Sequence, residues 1–159
     1  MTLEELQGEH FVWVSSMYPN QPAWLPAAGM VEEAGELLHT VIKVHQCRTW
    51  GPEARYVNTD WYAEMVDAIG DCAIYVCSLC NAKGWILSSA DSDRVNISGC
   101  TLLQLAIDLL RTAADNVTEP LILRTSRYLA LLKGICHIAE IDFMQAVTHT
   151  WAEVKGRNR

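Results

Sequence analysis

The sequence predicts an all-α protein made of a single domain. Its apolar residues recur every three or four positions, which is the period of an amphipathic helix, and they do not alternate with polar residues as in a half-buried strand. Apolar residues make up 50% of the 159 positions and charged residues 19%, which is typical of a globular chain. Because this length supports one hydrophobic core, we treat residues 1–159 as one domain.

Six helical segments follow one another along the chain. The apolar pattern predicts helices over residues 3–17, about 27–44, about 60–83, about 101–116, about 121–139 and 142–155. Residues that break or end helices separate these segments, namely Pro19, Pro22, Gly51, Pro52, Gly84 and Pro120. Asn58 or Thr59 is expected to cap the third helix. The polar stretch 88–98 is expected to be a connector.

The charge and apolar content of the chain limit its partners. A formal net charge of −7, with scattered Lys and Arg, argues against a nucleic acid polymer, because such binding needs phosphate neutralisation. No apolar run reaches 18 residues, so we expect no transmembrane helix and no membrane partner. Acidic residues interrupt the first ten positions, which argues against a signal peptide. The six cysteines lie mostly in apolar helical runs, which favours reduced thiols and a cytoplasmic location.

Two acidic clusters lie on apolar helical segments. They are Glu32-Glu33-Ala34-Gly35-Glu36 and Asp67-Ala68-Ile69-Gly70-Asp71. Carboxylates three or four positions apart share one helix face, where like charges repel. Each cluster also contains a mid-helix glycine, which costs about 1 kcal/mol relative to alanine but permits a close approach of a backbone or ligand. Binding of a divalent metal ion would account for these costs, because Mg²⁺ prefers carboxylate oxygens.

The two clusters also resemble a known family. The stretch 29–37, followed after a gap by 67–71 and Tyr75, is similar to the MazG-like all-α nucleoside triphosphate pyrophosphohydrolases, which include the dimeric all-α dUTPases and the dCTP pyrophosphatases. The similarity covers about residues 8–87 and returns weakly near the C-terminus. In that family a Glu-x-x-Glu pair and a Glu-x-x-Asp pair hold Mg²⁺ on the triphosphate. By position, Glu33 and Glu36 match the first pair.

The second pair fits two registers. Glu64 and Asp67 have the family spacing as they stand. Aligning on Asp71 instead leaves Ala68 where the family has glutamate, and Asp67 would then supply the missing ligand. Because the three acids share a helix face, all of them remain candidate metal ligands beside the first pair, with Mn²⁺ as a substitute for Mg²⁺.

The resemblance implies hydrolysis of a nucleoside triphosphate to the monophosphate and pyrophosphate, with a role in clearing unwanted nucleotides from the pool. It implies that Glu33 and Glu36 are catalytic, and that Glu33 orients or deprotonates the attacking water. Aromatic rings are expected to stack on the base and cations to contact the phosphates. The candidate substrate-binding residues are Trp13, Trp24, Lys43, Tyr75, Lys155 and Arg157.

Residues 88–140 separate the family-like core from a C-terminal helix, 141–159, and are expected to form an extra helical hairpin. The family builds its bundle from two chains, which implies a homodimer or homotetramer. Alternatively, the hairpin completes the bundle within one chain, since its layout weakly repeats that of the acidic pair. The rival function is a catalytically impaired relative that binds a nucleotide or a protein, and Ala68 keeps that alternative open.

Overall fold

The computed structural model describes residues 1–50, 60–90 and 95–156. Its helices are α1 (Leu3–Met17), α2 (Trp24–Trp50), α3 (Trp61–Lys83), α4 (Leu87–Ala90), α5 (Leu102–Thr118), α6 (Ile122–Ala139) and α7 (Phe143–Gly156). These three ranges contain no strand, so the predicted all-α class is confirmed. None of the helices in the described ranges combines the length and the apolar character that crossing a bilayer requires.

Local hydrogen bonds explain where several helices begin and end. The side chain of Thr101 accepts from the backbone N–H of Gln104 at 3.2 Å and so caps α5, as predicted. The N-cap of α3 is Asp60, whose carboxylate accepts from the N–H of Ala63 at 3.1 Å. The expected caps Asn58 and Thr59 lie outside the described residues. α3 ends at Lys83 and is followed by Gly84, as predicted. The φ of Gly84 is 66°, in the left-handed region that favours glycine.

Two predicted boundaries differ from the structure. α2 extends beyond the predicted range 27–44 at both ends, and Pro26 lies in its first turn, where a missing N–H costs nothing. The polar connector predicted for 88–98 overlaps the single helical turn α4. The predicted loop after α2 falls largely on residues 51–59, which lie outside the described ranges.

Four helices pack as a bundle within the single chain. α2 packs along α3 and α5, α5 packs along α6, and α6 also contacts α3. Their shared interior is apolar, and Tyr128 of α6 is completely buried there. The Tyr128 hydroxyl donates to the carbonyl oxygen of Met30 in α2, with 3.3 Å between the two oxygens. The predicted hairpin is therefore α5 and α6, and it lies against the acid-bearing pair α2 and α3.

α1 and α7 both pack against α3. α7 approaches α3 closely at Gly70, where a Cβ would overlap the side chain of Thr150. The expectation that glycine permits close approach is therefore met at Gly70. It is not met at Gly35, because within the described chain nothing lies within 4 Å of a Cβ built there. These contacts place α1 and α7 beside α3, and α7 meets α3 at the acidic cluster 67–71.

Candidate functional site

A cavity of about 610 Å³ lies among α1, α2, α3 and α7. Small-molecule sites in proteins usually measure about 300–1,000 Å³. The cavity lining includes three carboxylates, three aromatic rings and three uncharged polar side chains. These side chains are Glu32, Glu33 and Asp71; Trp13, Tyr18 and Tyr75; and His10, Gln21 and Ser78. We call this space the acidic cavity.

The carboxylate of Glu33 is strongly perturbed. Burial, followed by the negative charges of Asp71, Glu36, Glu32 and Asp67, raises the pKa of Glu33 to about 7. All four of these charges are carboxylates, and they come from both α2 and α3. The cavity therefore holds like charges that repel one another, and a bound cation would relieve that repulsion.

The structure brings together most of the predicted metal ligands. Glu33 and Asp71 line the acidic cavity from facing helices. Glu36 and Asp67 lie close enough to raise the pKa of Glu33. Glu32 also lines the cavity, although the family pattern did not include it among the ligands. Because Glu32 directly precedes Glu33 in the acidic cluster, the sequence could have indicated that it lies near the same site.

Glu64 lies apart from the acidic cavity. It is exposed and lines a separate depression, together with Asp67, His149 and Glu153. Ala68 is 5% exposed and belongs to the apolar core. The α3 carboxylate in the described lining of the acidic cavity is Asp71, whereas Asp67, one turn earlier, lines the depression that contains Glu64.

The donor set around Glu33 fits a hard divalent cation. Among the described residues, no three or more His, Cys, Asp or Glu side chains are arranged as a preformed metal cage. Mg²⁺ is commonly held by one or two carboxylates together with substrate phosphates and water, so it does not require such a cage. Glu33 and Asp71 supply oxygen donors from two helices that face one cavity.

Close contacts hold the aromatic rings that line the acidic cavity. The ring of Tyr75 lies on the backbone of Gly29, and burial followed by the charge of Glu33 raises the pKa of the Tyr75 hydroxyl. Trp13 meets Tyr18 edge to face, with 5.9 Å between ring centroids. It meets Trp151 of α7 in the same manner at 5.7 Å. Trp13, Tyr18 and Trp151 therefore form an aromatic cluster whose rings stand at steep angles to one another.

A buried histidine contributes to the polar part of the cavity. His10 Nε2 lies 2.9 Å from Ser78 Oγ, and His10 Nδ1 lies 3.2 Å from Asn81 Nδ2. Burial lowers the pKa of His10 to about 4, so the ring is neutral near pH 7. The sequence assigned no role to His10, because its partner Ser78 is 68 positions away and no local spacing connects the two.

Four of the predicted substrate-binding residues can be compared directly with the cavity. Trp13 and Tyr75 line it. Trp24 is 60% exposed and does not belong to its described lining. Lys43 lies about 15 Å farther along α2 than Glu33, by the rise of a helix, and its Nζ donates to Gln46 Oε1 at 3.3 Å.

Lys155, one of the predicted phosphate-binding cations, forms a hydrogen bond with α1. Lys155 Nζ donates to Glu9 Oε2 at 2.6 Å, and Trp151 Nε1 donates to the same oxygen at 2.9 Å. The hydrogen bond from Lys155, then that from Trp151, lowers the pKa of Glu9. Lys155 thus fastens α7 to α1 beside the cavity. Arg157 lies outside the described residues.

A second cavity, of about 770 Å³, lies between α3 and α7. Asp142 is the carboxylate in its described lining, and Asp142 Oδ1 already accepts from the backbone N–H of Gln145 at 2.8 Å. This cavity therefore lacks the paired carboxylates of the acidic cavity, despite its larger volume.

Comparisons of the chain with models of protein families, with curated proteins and with solved structures found no match. The functional argument therefore depends on the residues of the acidic cavity.

Proposed function

We propose that this protein is a Mg²⁺-dependent nucleoside triphosphate pyrophosphohydrolase, which converts a (d)NTP and water to the (d)NMP and pyrophosphate. The observation that carries the proposal is that Glu33 and Asp71, from two helices, line one cavity with the rings of Trp13, Tyr18 and Tyr75. Carboxylates suit a metal-bound triphosphate, and flat aromatic rings suit a base. The similarity of the two acidic clusters to MazG-like enzymes supports the same assignment.

In this proposal the carboxylates have two roles in hydrolysis, metal binding and activation of the attacking water. Asp71, Glu33, Glu36 and Asp67 are the groups that would hold the metal, which supplies charge neutralisation at the phosphate oxygens. Glu33 also orients the attacking water and accepts its proton as the general base. The water oxygen bonds to phosphorus, the anhydride bond between the α- and β-phosphates breaks, and pyrophosphate leaves.

We further propose a cytoplasmic homodimer or homotetramer that acts on the nucleotide pool. All six cysteines are free thiols, which suits a reducing compartment. Large apolar side chains on α1 and at the start of α2 are exposed and available for self-association, namely Phe11, Val12, Trp24 and Leu25. Light scattering on the purified protein measures the number of chains in the particle.

The decisive test is pyrophosphate release from a panel of canonical and modified (d)NTPs, with and without Mg²⁺. We expect turnover that requires the metal and falls at least 100-fold in Glu33→Gln and in Asp71→Asn. Glu64→Gln is the matched control, because Glu64 lies in a separate depression, and it should keep most of the activity. Loss of activity in Glu64→Gln would favour the first register instead.

The rival function has its own outcome in the same experiment. If the folded protein releases no pyrophosphate from any nucleotide, hydrolysis is rejected. Calorimetric titration with a non-hydrolysable nucleotide analogue then distinguishes a nucleotide-binding relative from a protein-interaction module.

A further inference from the structure

A chain of hydrogen bonds leads from the backbone after α3 to the acidic cavity. It passes through Gln7 and His10 of α1 and through Asn81 and Ser78 of α3. Each of these side chains can both donate and accept a hydrogen bond. The direction of every bond can be worked out from the backbone end of the chain.

Two backbone groups fix the orientation of Gln7. The N–H of Leu87 donates to Gln7 Oε1 at 2.8 Å, and Gln7 Nε2 donates to the carbonyl oxygen of Trp85 at 2.6 Å. A backbone N–H can only donate and a carbonyl can only accept, so the oxygen and nitrogen of the Gln7 amide cannot be exchanged. Its second N–H donates to Asn81 Oδ1 at 3.1 Å.

The orientation of Gln7 in turn fixes those of Asn81 and His10. With its oxygen accepting from Gln7, Asn81 donates from Nδ2 to the Gln7 carbonyl oxygen at 3.3 Å and to His10 Nδ1 at 3.2 Å. His10 Nδ1 is therefore an acceptor, and the single proton of the neutral ring lies on Nε2. His10 Nε2 donates this proton to Ser78 Oγ at 2.9 Å.

Ser78 consequently accepts from His10 and retains its own O–H. Within the described chain, His10 is the hydrogen-bond partner found for Ser78 Oγ. Ser126 behaves differently, because its hydroxyl donates to the helix carbonyl four residues back at 2.9 Å. Ser78 is 8% exposed, and it lines the acidic cavity. Its O–H is thus a donor available to a molecule in that cavity.

We infer that Ser78 determines specificity by donating a hydrogen bond to a carbonyl oxygen on the base of the bound nucleotide. This inference rests on the proposed function and specifies its substrate class. Ser78 lies seven positions after Asp71 on α3, so the two share a face about 10 Å apart along the helix axis. Phosphates at Asp71 leave the nucleoside to extend toward Ser78 within the same cavity, whose lining also includes Trp13 and Tyr75.

The polarity of Ser78 predicts a preference among bases. A base that presents an oxo group to Ser78 satisfies the donor. A base that presents an amino group there can reach only the second lone pair of Ser78 Oγ, and the Ser78 O–H then has no acceptor on the base. Loss of one such neutral hydrogen bond corresponds to a factor of roughly ten in affinity. We therefore expect the protein to favour the oxo member of a matched pair of nucleotides.

The experiment compares kcat and KM for ITP against ATP and for UTP against CTP. Wild-type protein should prefer the oxo base by about tenfold or more in kcat/KM, mainly through KM. Ser78→Ala should lose this preference, because its KM for the oxo nucleotide rises toward that for the amino nucleotide. Ser78→Thr keeps the hydroxyl and should restore the preference, which separates loss of the donor from general damage to α3.

The outcomes distinguish the inference from the proposed function. If pyrophosphate is released but the preference is the same in wild type and Ser78→Ala, the inference is overturned and the hydrolase remains. If no pyrophosphate is released, calorimetric titration with inosine and adenosine decides. A Ser78-dependent preference for inosine then supports the inference while rejecting hydrolysis, and equal or absent binding overturns both.

Discussion

Tyr75 of α3 lies directly on the backbone of Gly29 in α2, so closely that a Cβ at position 29 would overlap the tyrosine ring. The same two helices carry Glu33 and Asp71 into the acidic cavity. The contact therefore helps to set the distance between the two acidic helices. A glycine that weakens a helix locally is here required by the packing.

We predict that Gly29→Ala lowers both stability and activity. Alanine favours the helix by about 1 kcal/mol, but overpacking against Tyr75 costs about 1–3 kcal/mol and displaces a cavity wall. Urea denaturation should show net destabilisation, and kcat/KM should fall about tenfold. Gly35→Ala is the matched control, because a Cβ there meets no described atom within 4 Å, and it should stabilise the protein. Equal stabilisation by both substitutions would contradict the packing argument.

Replacement of Glu33 by glutamine is expected to stabilise the protein while abolishing turnover. The folded-state pKa of Glu33 is about 7, above its ordinary value of 4.5, so the folded state holds this proton more tightly than the unfolded state. Stability therefore falls as pH rises from about 4.5 to about 7. Glu33 is only half-buried, so this loss amounts to about 1 kcal/mol after solvent screening. The gain in Glu33→Gln should appear in denaturation curves at pH 8 and disappear at pH 4.

The affinity of the free protein for Mg²⁺ should rise with pH through about 7. Below that pH a proton occupies Glu33 and competes with the metal, and above it the carboxylate is free to bind. Calorimetric titration should show binding roughly tenfold tighter at pH 8 than at pH 6. Glu33→Gln should bind Mg²⁺ more weakly and with little dependence on pH. A wild-type affinity that does not change between these pH values would argue against Glu33 as a ligand.

Thr150 offers a stability test at the contact between α7 and α3. Its hydroxyl is buried against Gly70 and has no hydrogen-bond partner among the residues that the structure describes. Valine has nearly the same shape and lacks the polar atom, so Thr150→Val should stabilise the protein by about 1 kcal/mol. Gly70→Ala should destabilise it, because the new Cβ would overlap Thr150. Calorimetric melting temperatures that move in opposite directions would support this packing.

The sequence predicted the helices and the acidic faces because both depend on short spacings. Thr101 and Gly84 act within a few residues of the helix ends that they define, so their roles were predictable. The meeting of Glu33 and Asp71 was expected from the family resemblance. The extra turns of α2 were missed because the apolar pattern used to predict this helix ended at residue 44.

Contacts between distant residues could not be read from the sequence. Lys155 was expected to reach phosphate, but its Nζ binds Glu9, 146 positions away. His10 and Ser78 gave no local signal for the same reason. The identity of a lysine, a histidine or a serine does not show whether it faces solvent, lies in the core or lines a cavity. Tertiary packing determines that environment.

The bundle of α2, α3, α5 and α6 has a consequence for the stoichiometry of ligand binding. Because α5 and α6 occupy the side of the bundle opposite the acidic pair, each polypeptide has one acid-bearing half and one half without the acidic clusters. Titration should therefore saturate at one nucleotide per chain in any oligomer. If the sites are independent, the binding curve should be hyperbolic, and its midpoint should not move with protein concentration.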